Sequence, residues 1–236
     1  MTQEQPSNIA LVATKLHTLL FLLLLAAIAL PGAISHRLAP WMGAPLTYNG
    51  RLRLYALMFA IPWLLFWCAR TGVARRGIAV RRMMDDVSWN APRLACSAAI
   101  GIAAGILWMM IGLAIGMILR PNPDELRILQ SLLPRSTLEK VYWVGICLAS
   151  SSCEEFVYRG YLLKQFRALT GNLAAAIFLQ AAVFGLNHAV LPWKLVITVS
   201  LLALYLGGLA AWRKSLIPGM LVHAGIKIFG GLFSST

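Results

Sequence analysis

The chain has 236 residues, 59% of them hydrophobic and only 12% charged, with a formal net charge of +13. A soluble domain carries about twice that charged fraction, so composition points away from a water-soluble fold and toward a membrane domain. The excess Lys and Arg falls between apolar runs, where it signals topology and meets lipid headgroups; no soluble basic domain remains to hold nucleic acid.

Seven apolar segments are predicted to span a membrane, at about 16–34, 52–69, 94–119, 138–163, 173–190, 192–211 and 216–233. The fold class expected is therefore all-α, a polytopic transmembrane helix bundle forming a single integral membrane domain over 1–236. The first segment, HTLLFLLLLAAIA (17–29), ends in an A-x-A pattern like a signal-peptide cleavage site. Its apolar run continues to Ile34, so a retained helix is expected. Arg70, Arg75, Arg76, Arg81, Arg82 and Arg93 cluster after the second segment, which predicts a cytoplasmic loop and a cytoplasmic N-terminus. A bacterial-type plasma membrane is the default location. In the third segment, Gly101/Gly105 and Gly112/Gly116 have the spacing of close helix packing in lipid.

PNPDELRILQSLLP (121–134) places Pro123, Asp124 and Glu125 in a first helical turn, with Leu126, Leu129, Leu132 and Leu133 on one face. A short interfacial helix is expected there. Ser136 and Glu139 form a capping box that starts the fourth span. Residues 1–119 read as a packing half and 120–233 as a chemical half, because nearly all intramembrane charge lies in the last four segments. Cys68, Cys96, Cys147 and Cys153 have no metal or disulfide spacing.

SSCEEFVYRGYLL (151–163) puts Glu154, Glu155 and Arg159 inside a predicted span. Each such charge at mid-bilayer costs roughly 2.5–3.5 kcal/mol on insertion scales, so the three must be paired, neutralised or hydrated. Glu155 and Arg159 are four apart and can pair on one helix face. Glu154 is left over, about 15 Å of helix short of Lys164 at the membrane edge. FGLNH (184–188) adds Phe184, Asn187 and His188, and LVHAGIK (221–227) adds His223 and Lys227. His223 lies about 14 Å from the Arg213–Lys214 edge, near the depth of Glu154. His188 counts about 24 Å from Asn172, some 9 Å off that level.

Together E-E-x-x-x-R, F-x-x-x-H and the His223 motif resemble the type II CAAX prenyl protease and bacteriocin-processing family, also called CPBP or Abi. The resemblance covers about residues 120–233. It implies an intramembrane endopeptidase acting on a membrane-associated peptide or protein among membrane lipids. Glu154 would activate a water with help from His188, Glu155 and Arg159 would orient the site, and His223 would complete it. Phe184 and Asn187 would flank it. Lys227 stands where the family has Asn or Asp. It could steady an oxyanion or pair with Glu154 and hold it inactive.

No cofactor is required by this reading. Zinc held by two His and a Glu is an alternative, without an HExxH motif to support it. A Cys153–His protease is weaker still, because a neighbouring carboxylate disfavours the thiolate. Two non-hydrolytic readings remain open: a catalytically inactive scaffold, immunity or regulatory protein, and a proton-coupled transporter using Glu, His and Lys as relays.

Overall fold

The computed structural model describes residues 10–38, 47–84, 90–120 and 122–233, with the backbone alone for 31–38, 124 and 126–129. The elements among the described residues are helices: α1 (Lys15–Leu38), α2 (Tyr48–Ala74), a short α3 (Val80–Met84), α4 (Ala91–Leu119) and α5 (Pro123–Leu132). Then come α6 (Thr137–Glu155), a π-helical stretch (Phe156–Leu162), α7 (Leu163–Thr170), α8 (Leu173–Asn187), α9 (Trp193–Arg213) and α10 (Ile217–Phe233). The expected all-α bundle is present, and each predicted span falls on a helix. By length and hydropathy α2, α4 and α9 are able to cross a membrane, while Lys15–Leu30, α8 and α10 are shorter apolar helices. The predicted span at 138–163 is instead one helical run from α6 to α7, broken only by the wider π turns.

Local sequence accounts for the helix ends. Thr47, Asn90, Asn122, Ser136 and Asn172 each accept a first-turn backbone N–H, as N-cap side chains do. Ser136 and Glu139 form the expected capping box, and Asn122 with Glu125 forms a second one at α5. The side chains of Leu126 and Leu129 lie outside the described residues. Gly171 closes α7 at φ 67°, a left-handed position that glycine adopts without a Cβ clash.

Helix α10 packs between α4 and α6, α8 packs on α9 and α7, and α2 packs on α6. Along α4 the buried residues are Ser97, Gly101, Ala104 and Trp108, a seam at alternating spacings of four and three. Ile102, Ile106, Met110 and Leu113 point outward, which suits a lipid-facing helix. Of the four glycines expected to mediate close packing, only Gly101 does so. A Cβ there would meet Leu221 and the Pro218 carbonyl at 3.0–3.2 Å, whereas Gly105 and Gly116 face open space and Gly112 has only Trp108 at 3.9 Å. The i,i+4 spacing was satisfied, but those three glycines lie off the buried seam.

The two ends of the bundle differ. At one end Lys164 Nζ donates to the Arg82 carbonyl (3.3 Å), Leu216 N to the Met84 carbonyl (2.7 Å), and Arg213 Nη2 to Cys96 Sγ (3.9 Å). This basic end gathers the Arg-rich loop. At the other end Arg51 Nε pairs with Glu139 Oε1 at 2.7 Å, and Lys194 Nζ with Glu125 Oε2 at 3.4 Å. The Glu139 side chain is 0% exposed, and its Oε2 also accepts from Arg135 N and Ser136 N, both at 2.8 Å. Near the basic end Gln165 Oε1 accepts from Val12 N and Ala13 N, while its Nε2 donates to Ala13 O and Thr18 Oγ1. These bonds seat the chain start against α7.

Candidate active site

Glu154, Glu155, Arg159, His188, His223 and Lys227 meet in one cluster where α6, the π stretch, α8 and α10 converge. Glu155, the last residue of α6, receives two donors on the same oxygen. Arg159 Nη1 lies 2.9 Å from Oε1, and His223 Nδ1 lies 2.9 Å from it. The pairing expected of Glu155 and Arg159 is thus present, with both side chains 0% exposed. The opposite charges of Glu155 and Arg159 offset each other there, though Glu155 Oε2 and Arg159 Nε have no hydrogen-bond partner. Arg159 Nη2 also donates to the Ala203 carbonyl (3.3 Å), and its guanidinium lies 4.9 Å from the Phe184 ring centroid. Gln180 Nε2 donates to the same carbonyl at 2.9 Å.

Glu154 has a different environment. Its Oε1 accepts from Lys227 Nζ at 2.9 Å, and its Oε2 lies 3.6 Å from His223 Nε2. Lys227 Nζ also reaches Ser150 Oγ at 3.4 Å. The Glu154 and Lys227 side chains are 13% and 23% exposed, against 0% for Glu155. One carboxylate is therefore sealed and the other only partly covered, with Oε2 buried and unpartnered. A carboxylate only accepts hydrogen bonds, so His223 Nδ1 carries the proton toward Glu155. Its Nε2 then presents a lone pair toward Glu154 Oε2. A separation of 3.6 Å is long for a direct hydrogen bond and short enough for one water to bond both groups.

His188 caps the C-terminus of α8. Its Nδ1 donates to the Phe184 carbonyl at 2.8 Å, and its ring stacks 4.4 Å from the Phe184 ring. Since a carbonyl cannot donate, Nδ1 holds the proton and Nε2 is left to accept. The ring thus turns back one helical turn, about 5 Å, and recovers part of the depth offset counted from sequence. His188 comes within electrostatic reach of Glu154. Phe184 is the hub of this side, packed edge-on to Tyr158 (4.8 Å) and to His223 (5.9 Å). Asn187, the last residue of α8, lies beside Tyr158.

Several contributors were not singled out by sequence reasoning. Tyr158 is one turn beyond Glu154 on the same face, a spacing that could have found it. Ser150 is one turn before Glu154 and meets Lys227. Gly219 lets Glu155 approach: a Cβ there would sit 2.9 Å from Oε2. Gly231 makes room for the Trp143 indole, whose Nε1 donates to the Lys227 carbonyl at 2.9 Å. Among the described residues no group of three or more His, Cys, Asp or Glu is placed to hold a metal ion. Cys68, Cys96, Cys147 and Cys153 are free thiols.

A helical bundle with apolar spans and a sealed carboxylate–guanidinium–imidazole cluster defines an integral membrane protein of the intramembrane-site type. Residues 136–229 match the model of the Rce1-like family, described as type II CAAX prenyl endopeptidase Rce1-like. That segment, which carries Glu154, Glu155, Arg159, Phe184, Asn187, His188, His223 and Lys227, is similar to this CAAX-type protease family. No curated protein and no solved structure matches the chain.

Proposed function

We propose that this protein is an intramembrane endopeptidase that hydrolyses peptide bonds of membrane-associated substrates with a water activated by Glu154. The observation that carries the reading is the split between two adjacent carboxylates. Glu155 is locked by Arg159 and His223, while the Glu154 side chain is partly exposed and its Oε2, buried and without a hydrogen-bond partner, lies 3.6 Å from His223 Nε2. In this mechanism Glu154 takes a proton from a water held between it and His223 or His188. The resulting hydroxide adds to the substrate carbonyl carbon. Glu154 returns the proton to the leaving nitrogen as the C–N bond breaks, giving a carboxylate and an amine. Lys227 has three N–H donors, and Glu154 and Ser150 engage two of them. The third is available to an oxyanion, the role of the family's Asn or Asp. The scheme uses no metal. Residues 1–119 serve as packing, residues 120–233 as the catalytic half, and the Arg-rich end faces the cytoplasm of a bacterial-type plasma membrane.

The Lys227–Glu154 contact at 2.9 Å also favours a second reading, a disabled protease acting as a scaffold, immunity or regulatory protein. The purified protein, in detergent with a library of membrane-associated peptides, separates the two. Under the leading reading the wild type cleaves, and Glu154→Ala loses on the order of 10²–10⁴-fold in rate. Cleavage persists with chelator; loss restored by zinc would require a metal mechanism instead. An inert wild type combined with an active Lys227→Asn variant would establish the disabled protease.

A further inference from the structure

A groove of about 590 Å³ runs between α4 and α9, lined by Ile100, Ala104 and Leu107 on one side and by Leu204, Gly208 and Trp212 on the other. That volume is in the range of small-molecule sites. Tyr205 also borders it, but its hydroxyl donates to the Ala104 carbonyl at 2.8 Å, so the wall presents carbon. From Leu204 to Trp212 the groove follows about 12 Å of helix, close to the roughly 15 Å half-thickness of a bilayer's hydrocarbon. It therefore covers most of one leaflet's depth.

Its Trp212 end is cationic. Arg213 and exposed Lys214 follow directly, and Arg213 reaches Cys96 near the start of α4. The Arg213 guanidinium stands 5.4 Å from the Trp212 ring centroid, and its buried Nε has no hydrogen-bond partner. Neither α4 nor α9 contains an Asp or Glu. An apolar trough covering most of a leaflet, ending in an aromatic ring and adjacent cations, matches a phospholipid in shape and charge.

We propose that this groove binds an anionic phospholipid, with an acyl chain along α4 and α9 and its phosphate on Arg213 and Lys214. The site stands whether or not the chain cleaves peptides. Native mass spectrometry of the detergent-solubilised full chain tests it, comparing phosphatidylglycerol with phosphatidylcholine of the same acyl chains. The expected preference for phosphatidylglycerol is about 25-fold, from roughly a fivefold factor for each of two cations. The double variant Arg213→Gln/Lys214→Gln should abolish that preference. Gly208→Phe should weaken both lipids, because a Cβ at Gly208 meets nothing within 4 Å and the ring enters the groove. Gly208→Leu serves as the milder filling variant, and circular dichroism checks folding of each. Equal retention of the two lipids by the wild type would overturn the proposal. So would unchanged phosphatidylglycerol binding in both groove-filled variants, displacement by acyl-free glycerol phosphate, or occupancy by a prenylated peptide that phosphatidylglycerol cannot displace.

Discussion

Replacing each of two neighbouring glutamates by glutamine should give opposite phenotypes. Glu155 is 0% exposed and neutralises Arg159, itself 0% exposed at the side chain. Glu155→Gln keeps an oxygen for the Arg159 and His223 donors but removes the charge, leaving a buried guanidinium uncompensated. Breaking a buried pair costs roughly 3–5 kcal/mol, and the retained acceptor places this variant near 3 kcal/mol. For a chain of this length that is a fall in Tm of about 6–12 °C. Glu154→Gln leaves Lys227 unpaired instead, but that side chain is 23% exposed and still meets Ser150. Its Tm should stay within about 3 °C of wild type while cleavage is lost. Thermal unfolding by circular dichroism in detergent, run beside the peptide assay, reads both. Equal Tm losses, or a Glu155→Gln protein as stable as wild type, would refute the division into a sealed and a partly covered carboxylate.

Other outcomes follow from contacts away from Glu154. Arg51→Met should cost about 2 kcal/mol, below the usual range for a broken buried pair because Arg135 N and Ser136 N still serve Glu139; Glu139→Gln in the same chain should restore part of the lost Tm. Gly231→Ala drives a Cβ into the Trp143 indole and should break its bond to the Lys227 carbonyl, seen as a red shift of tryptophan emission. Gln165→Leu removes the acceptor for Val12 N and Ala13 N, at about 1–3 kcal/mol for each buried donor left unsatisfied, and limited proteolysis should then cut near residue 14 faster.

The helical architecture was legible because apolar runs of span length have few other uses. The Glu155–Arg159 pair was legible because residues four apart share a helix face, and the common depth of Glu154 and His223 followed from counting rise per residue. Lys227 was open to two readings from sequence. Its ammonium contacts Glu154, and three donors on one nitrogen allow that contact to coexist with either reading. Other features had no local signature. Arg51 meets Glu139 across 88 residues, and Gln165 meets Val12 across 153. The uses of Gly219 and Gly231 depend on which side chain arrives opposite them. The glycine pairs of α4 misled because spacing alone does not say which face is buried. The π-helical stretch has no compositional mark either, since its bonding pattern answers to the packing around it.

That stretch separates two obligations of one continuous rod. Before it, Glu154 and Glu155 must aim at α10; near its end Tyr161, and after it Gln165, must hold Thr18 and the chain near Val12. Evenly wound helix fixes the angle between such points at about 100° per residue, with no freedom to adjust one alone. The loosened winding acts as a phase shifter. Even α winding through 156–162 would turn Gln165 away from Val12, Ala13 and Thr18 while Glu154 and Glu155 kept their places.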